Sequence, residues 1–114
     1  MALRRYLFSK GIRYRLHDKR LPGRPDIVIK KRKTVIFING CFWHGHNGCK
    51  YYRIPKTRLE WWQGKIERNK ERDISNINLL YGLGYKVIVV WECELKPKLF
   101  DKTAEKVWKS VSVG

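Results

Sequence analysis

The chain has 114 residues, and its 26 Lys and Arg against 10 Asp and Glu give a formal charge of +16. That length suits one domain with a real core, and so large a cationic excess points to a polyanion, with nucleic acid the commonest. No apolar stretch nears the ~20 residues a bilayer span needs, no signal peptide is recognisable, and an odd cysteine count argues against a secreted disulfide framework. The plain alternative is a merely basic, ribosomal-type protein; a membrane surface is disfavoured because no basic segment has a clean apolar helical face. A cytoplasmic protein with reduced, metal-bound thiols is expected.

Residues 2 to 10, ALRRYLFSK, have helical character and stop at Gly11. Ile12 to Leu16 alternates apolar and basic residues, the pattern of a short half-buried strand. A turn-forming loop with two prolines follows from His17 to Pro25, and His17 is expected to face solvent. Asp26 to Ile29 and Thr34 to Ile38 predict two strands joined by the basic turn KKRK. From Asn39 to about Thr57 the chain is irregular, and so long a loop in a small domain needs something to order it. A helix is predicted from about Arg58 to Leu83, ending at Gly84, then a buried strand Val87 to Trp91 and a last amphipathic helix at roughly Asp101 to Val111. The expected order is αβββαβα, an α/β fold with a mixed sheet flanked by helices.

Leu59, Trp62, Ile66, Asn69, Asp73, Ile77 and Leu80 recur at the spacing of one helical face. Asp73 on that stripe is either a surface acid on a face drawn too generously or a buried acid orienting a catalytic group. Trp61 faces another way and is expected to be core or packing.

The segment NGCFWHGHNGC, residues 39 to 49, concentrates thiols, imidazoles and two adjacent aromatic rings. Cys41, His46 and Cys49 have four and then two residues between them, and Cys93 in WECEL could complete a tetrahedral zinc site. The competing reading is three separate buried cysteines acting as small hydrophobes. His44 is left over, either as a general base for water or as a structural or phosphate-contacting histidine. Phe42 and Trp43 suggest a wedge or stacking platform. Asp26, after Pro25, is by itself an ordinary turn former; its basic surroundings and the nearness of His44 in sequence make it a candidate magnesium ligand.

These motifs resemble the very short patch repair endonucleases, which nick DNA beside a thymine–guanine mismatch. The matching segments are LPGRPD at 21 to 26, VIFINGCFWHGH at 35 to 46, PKTRLEWWQGKIERNKERD at 55 to 73 and GYKVIVVWECEL at 84 to 95. The resemblance implies a restriction-endonuclease-like mixed sheet flanked by helices, with a zinc-bound loop. It implies Asp26 as the catalytic acid holding magnesium, joined by the backbone carbonyl of Ile38, and His44 as the general base with Asp73 hydrogen-bonded to it. Cys41, His46, Cys49 and Cys93 match its structural zinc ligands. Phe42, Trp43 and Trp62 match its rings that enter DNA beside the mismatch, and Lys65 and Asn69 match positions contacting the mismatched pair and its neighbours.

The sequence departs from the family twice. Asn39 stands where well-known members carry a second active-site histidine, and an asparagine can hydrogen-bond but not act as a base. The family's N-terminal arm and its active-site glutamate have no counterpart in these residues. The expected protein is therefore a single-domain, monomeric nicking endonuclease of the bacterial cytoplasm, acting on mismatched double-stranded DNA, with mismatch-repair proteins as potential partners. A nuclease of the same scaffold with another DNA target, or a non-catalytic binder of distorted DNA, are its rivals.

Overall fold

A computed structural model describes residues 2–113. The elements are α1 (Ala2–Ser9), β1 (Arg15–Leu16), β2 (Ile27–Ile29), β3 (Thr34–Asn39), α2 (Leu59–Gly82), β4 (Lys86–Trp91) and α3 (Pro97–Val113). Single 3-10 turns lie at Lys30–Arg32 and Glu92–Leu95. The four strands form one sheet in the order β1-β2-β3-β4. The first two pairings are antiparallel, and β3 and β4 run parallel, joined through α2. No described helix is long and apolar enough to cross a membrane.

Alternation along the strands divides the core in two, because successive side chains on a strand face opposite ways. Ile27, Ile29, Ile36 and Val90 pack with Leu3 and Leu7 of α1 and with Ala104, Val107 and Val111 of α3. Val28, Val35 and their neighbours Phe37 and Val87 pack with Leu80 of α2. The mixed sheet is thus covered by helices on both faces, and β2, with all three residues buried, reads as an unbroken apolar run.

Three expectations need correction. The strand predicted over Ile12–Leu16 is only Arg15–Leu16, both residues exposed. Its partner β2 turns into the Lys30–Arg32 3-10 turn immediately after Ile29, so Ile12 and Arg13 have no strand residue opposite them, and the rungs formed are Arg15↔Val28 and Leu16↔Ile27. β4 is half-buried rather than buried: it is a sheet edge, and only Val90 is enclosed. The last helix begins four positions earlier than expected, at Pro97, where a proline's fixed φ suits the first helical residue and its missing N–H is not needed.

The strand directions decide where a site can lie. β2 begins at the same end of the sheet at which β3 and the parallel β4 finish. Asp26, the loop after Asn39 and the turn after Trp91 therefore converge there, with the middle of α2 alongside.

Candidate active site and metal centre

The loop 39–57 is built from consecutive turns rather than from a regular element. His44 N–H donates to Gly40 O at 3.2 Å, His46 N–H to Cys41 O at 2.9 Å, and Cys49 N–H to His46 O at 3.2 Å. Gly45, between the two histidines, has φ +61 and sits hard against α2: a Cβ there would lie 2.8 Å from Ile66 Cγ2 and 2.3 Å from Lys70 Cε. Both the backbone angle and the close approach require glycine. Gly45→Ala should lose about 2 kcal/mol in a urea melt. An unchanged midpoint would mean that the loop is free to retreat from α2.

The turns bring Cys41, His46, Cys49 and Cys93 together, with their ligand atoms all within 4.8 Å of one another. Cys93 N–H lies 3.4 Å from Cys41 Sγ, and Cys93 Sγ lies 3.5 Å from His46 Nδ1. The indole of Trp91 stacks on the His46 ring at 4.1 Å and 5°, fixing the imidazole plane. Burial pushes the Cys93 thiol up to about 12, and the adjoining Cys41 and Cys49 sulfurs add to it. Cys49 shifts the other way, chiefly because the Tyr51 N–H stabilises its thiolate. Crowded thiols do not ionise together without a cation between them, and three sulfurs with one imidazole form a donor set that suits tetrahedral zinc. The cluster could hold zinc.

Beside it, on the same end of the sheet, lies a cavity of about 200 Å³ whose wall includes Asp26, Ile38, Asn39, His44 and Asp73. Asp26 Oδ2 accepts a 2.6 Å hydrogen bond from Ile38 N–H, which fixes the carboxylate across the β2–β3 pair. His44 Nδ1 and Asp73 Oδ2 are 2.6 Å apart, each side chain about 30% exposed (31% and 30%). With Nδ1–H donating to Asp73, the other ring nitrogen is an acceptor available to the cavity. Asn39 is nearly buried at the end of β3. The acid on the α2 stripe has a partner, and that partner is the leftover histidine.

The α2 stripe is less apolar than its spacing suggests. Ile66 and Leu80 are buried, but Leu59, in the first turn, is 43% exposed. Phe42 and Trp43 meet Trp62 with ring centroids 5.4 and 5.9 Å away, and Trp43 is 49% exposed. Asn69 Nδ2 donates to the carbonyl of Trp43 at 2.9 Å, tying that ring's backbone to α2. Trp61, expected to be core or packing, is not in the core but does pack: it is 44% exposed, edge-on to Trp62, with Arg58 and Lys65 over its ring at 4.8 and 5.9 Å. Neighbouring positions on a helix do diverge, but the direction Trp61 takes is solvent.

His17 was missed. It is exposed, yet its Nδ1 is 3.6 Å from Asp26 Oδ1 and its N–H donates to Asp26 O at 3.2 Å. Nine positions separate the two in sequence, and only the antiparallel β1–β2 pairing brings them side by side. No periodicity in the sequence carries that signal.

Comparison with known proteins yields a consistent group. The family model described as DNA mismatch endonuclease Vsr matches residues 1–50. The type II nicking enzyme V.NmeAIP of Neisseria meningitidis serogroup A is 56% identical over 98 residues, covering 86% of this chain and 69% of that protein. The type II nicking enzyme V.XorIIP of Xanthomonas oryzae is 52% identical over 94 residues, covering 82% and 68%. The DNA mismatch endonuclease Vsr of Escherichia coli is 46% identical over 98 residues, covering 84% of this chain and 62% of the relative.

Proposed function

Because the chain belongs to the Vsr family of DNA endonucleases, we propose that it nicks one strand of duplex DNA beside a T:G mismatch, with magnesium as the catalytic cation, in very short patch repair. The observation that carries this reading is the joining of Asp26 and the His44–Asp73 pair in one cavity. The basic surface supplies affinity for the phosphate backbone.

In the proposed reaction Asp73 holds the His44 ring so that its free nitrogen takes a proton from the attacking water. The Asp73 carboxylate then stabilises the imidazolium that results. Asp26 and the carbonyl of Ile38 would hold magnesium, since hard oxygen donors suit that ion and the Asp26 carboxylate is already oriented by Ile38 N–H. Magnesium, when bound, offsets the charge of the phosphate and polarises its oxygens. Asn39 offers a hydrogen bond to the phosphate or water. Cys41, His46, Cys49 and Cys93 are proposed as ligands of a structural zinc, keeping His44 fixed between two ordered turns.

Phe42, Trp43 and Trp62 are proposed to press between base steps. Unstacking a step costs a few kcal/mol, and less where a wobble pair already disturbs the stack, so a wedge favours mismatches without reading many bases. Lys65 and Asn69 lie along the same helix and would meet the mismatched pair and its neighbours. Nicking assays on T:G and fully paired duplexes, with and without magnesium, test the reading. The T:G duplex should be cut, only with magnesium, and at least about 10-fold faster than the paired one. Trp43→Ala should erase most of that preference. Equal cutting of both duplexes by the unaltered protein would redirect the assignment to a nuclease with another target.

A further inference from the structure

Arg24 lies on the wall of the cavity that holds Asp26, His44 and Asp73, and it is the one lysine or arginine there. The residues around it are acidic or neutral: two carboxylates, Asn39, Asn76 and the imidazole. β3, which forms the cavity's floor, has the sequence TVIFIN and contributes no cationic side chain. A phosphodiester entering this space adds a further negative charge, and charge grows on its non-bridging oxygens as a fifth oxygen bonds to phosphorus.

Arg24 is held there by its turn. Its φ is +48, a left-handed angle uncommon for a residue other than glycine. Strain of that kind persists only where the surroundings over-determine it, and it clusters at functional sites. The surroundings here are specific. Arg24 N–H donates to Leu21 O at 3.1 Å, and the following Pro25 is fully buried. The preceding Gly23 is clamped: a Cβ at that position would lie 3.1 Å from both Asn76 on α2 and the Phe37 ring on β3. The turn that delivers Asp26 to one side of Pro25 therefore delivers Arg24 to the other. The guanidinium makes no ion pair among the described residues, although two carboxylates share its cavity. Arg24 is exposed at the cavity wall and paired with neither acid, so its side chain is free to meet a ligand that enters from solvent.

We propose that Arg24 binds the non-bridging oxygens of the phosphodiester that is cut, holding it between Asp26 and His44 and stabilising the charge that develops on it. A planar guanidinium can meet two oxygens of one phosphate at once, which fixes orientation as well as charge. This assignment rests on the reading of the cavity as the nuclease centre.

The test is a charge-deletion cycle read in binding. T:G duplexes carrying a single neutral methylphosphonate are prepared, the substitution stepping along each strand near the mismatch. Their affinities are measured by fluorescence anisotropy, without magnesium, for wild type, Arg24→Gln and Arg24→Lys. At one linkage the wild type should lose about 10-fold in affinity, as for loss of one charged hydrogen-bonded contact. Arg24→Gln should lose under about two-fold at the same linkage, and Arg24→Lys an intermediate amount. With magnesium and natural DNA, that linkage should be the one cut, about 10²-fold more slowly by Arg24→Gln, with affinity changed far less than rate. Parallel losses for wild type and Arg24→Gln at every linkage would overturn the proposal. So would a coupled linkage different from the one cut. If Arg24→Gln fails to fold, by circular dichroism, the Arg24→Lys comparison decides alone. Wild type that shows the coupling but cuts nothing would sink the nuclease reading and keep Arg24 as a phosphate ligand.

Discussion

His44→Ala should lower the nicking rate about 10³-fold, within the range that a positioned general base contributes, while duplex affinity stays within about two-fold. The split follows from geometry. His44 is half-buried and engaged with Asp73 at 2.6 Å, so its removal takes away a proton acceptor rather than a broad contact surface. Asp73→Asn should leave the ring in place but weaken control of its tautomer, since an amide can hydrogen-bond Nδ1 in either sense. Its loss should be large but smaller than that of His44→Ala. Asp26→Ala should abolish magnesium-dependent cutting, because it removes the carboxylate proposed to hold the metal. Single-turnover rates on a T:G duplex measure all of these. Undiminished cutting by either single alanine variant would remove that residue from the chemistry.

Cys93→Ser should have the largest effect on structure. The native protein is expected to contain one zinc per chain, and the variant well under half that, by elemental analysis. Structural zinc sites in small peptides contribute on the order of 10 kcal/mol of apparent binding energy at neutral pH. Here a sheet core exists independently: Ile27, Val28, Val35 and Ile36 are fully enclosed without any help from the cluster. Loss of metal should therefore release the loop 39–57 and the turn after β4 while leaving most of the sheet. Far-UV dichroism should change little, near-UV signals from Trp43, Trp62 and Trp91 should collapse, and nicking should cease. A strong chelator should do the same to the native protein. A metal content near one in Cys93→Ser would refute the ligand set.

Much of this was legible in the sequence, and the reasons are physical. α2 is long and periodic, and its end is marked by Gly84, whose φ of +86 lets Tyr85 N–H reach back to Leu80 O at 3.0 Å. Asp73 on its stripe left open a surface acid or a buried, partnered one, and its 2.6 Å contact with His44 agrees with the second. The mixed sheet follows from short apolar runs separated by turns and one helix-length crossover, while its restriction-endonuclease-like character was implied by the family resemblance. What stayed hidden depends on pairing across the chain. The truncation of β1 is set by where β2 ends, and the adjacency of His17 to Asp26 is set by register. Leu59 shows a related gap: spacing defines a helical face but not what packs against each turn, and Leu59 is exposed. The cationic role proposed for Arg24 is also invisible locally, since PGRPD reads as an ordinary turn until Asn76 and Phe37 close on Gly23.

The convergence of β2, β3 and β4 at one end of the sheet bears on how the polypeptide is made. Asp26, His44, Asp73 and Cys93 come from four separate stretches, and Cys41 and Cys93 lie 52 positions apart. Contacts between such distant positions form late, after the intervening chain has been closed into a loop. A partly synthesised chain lacking β4 has neither the parallel partner for β3 nor the last thiol of the four-residue cluster. The proposed zinc ligand set is thereby completed only when the last strand of the sheet has been made.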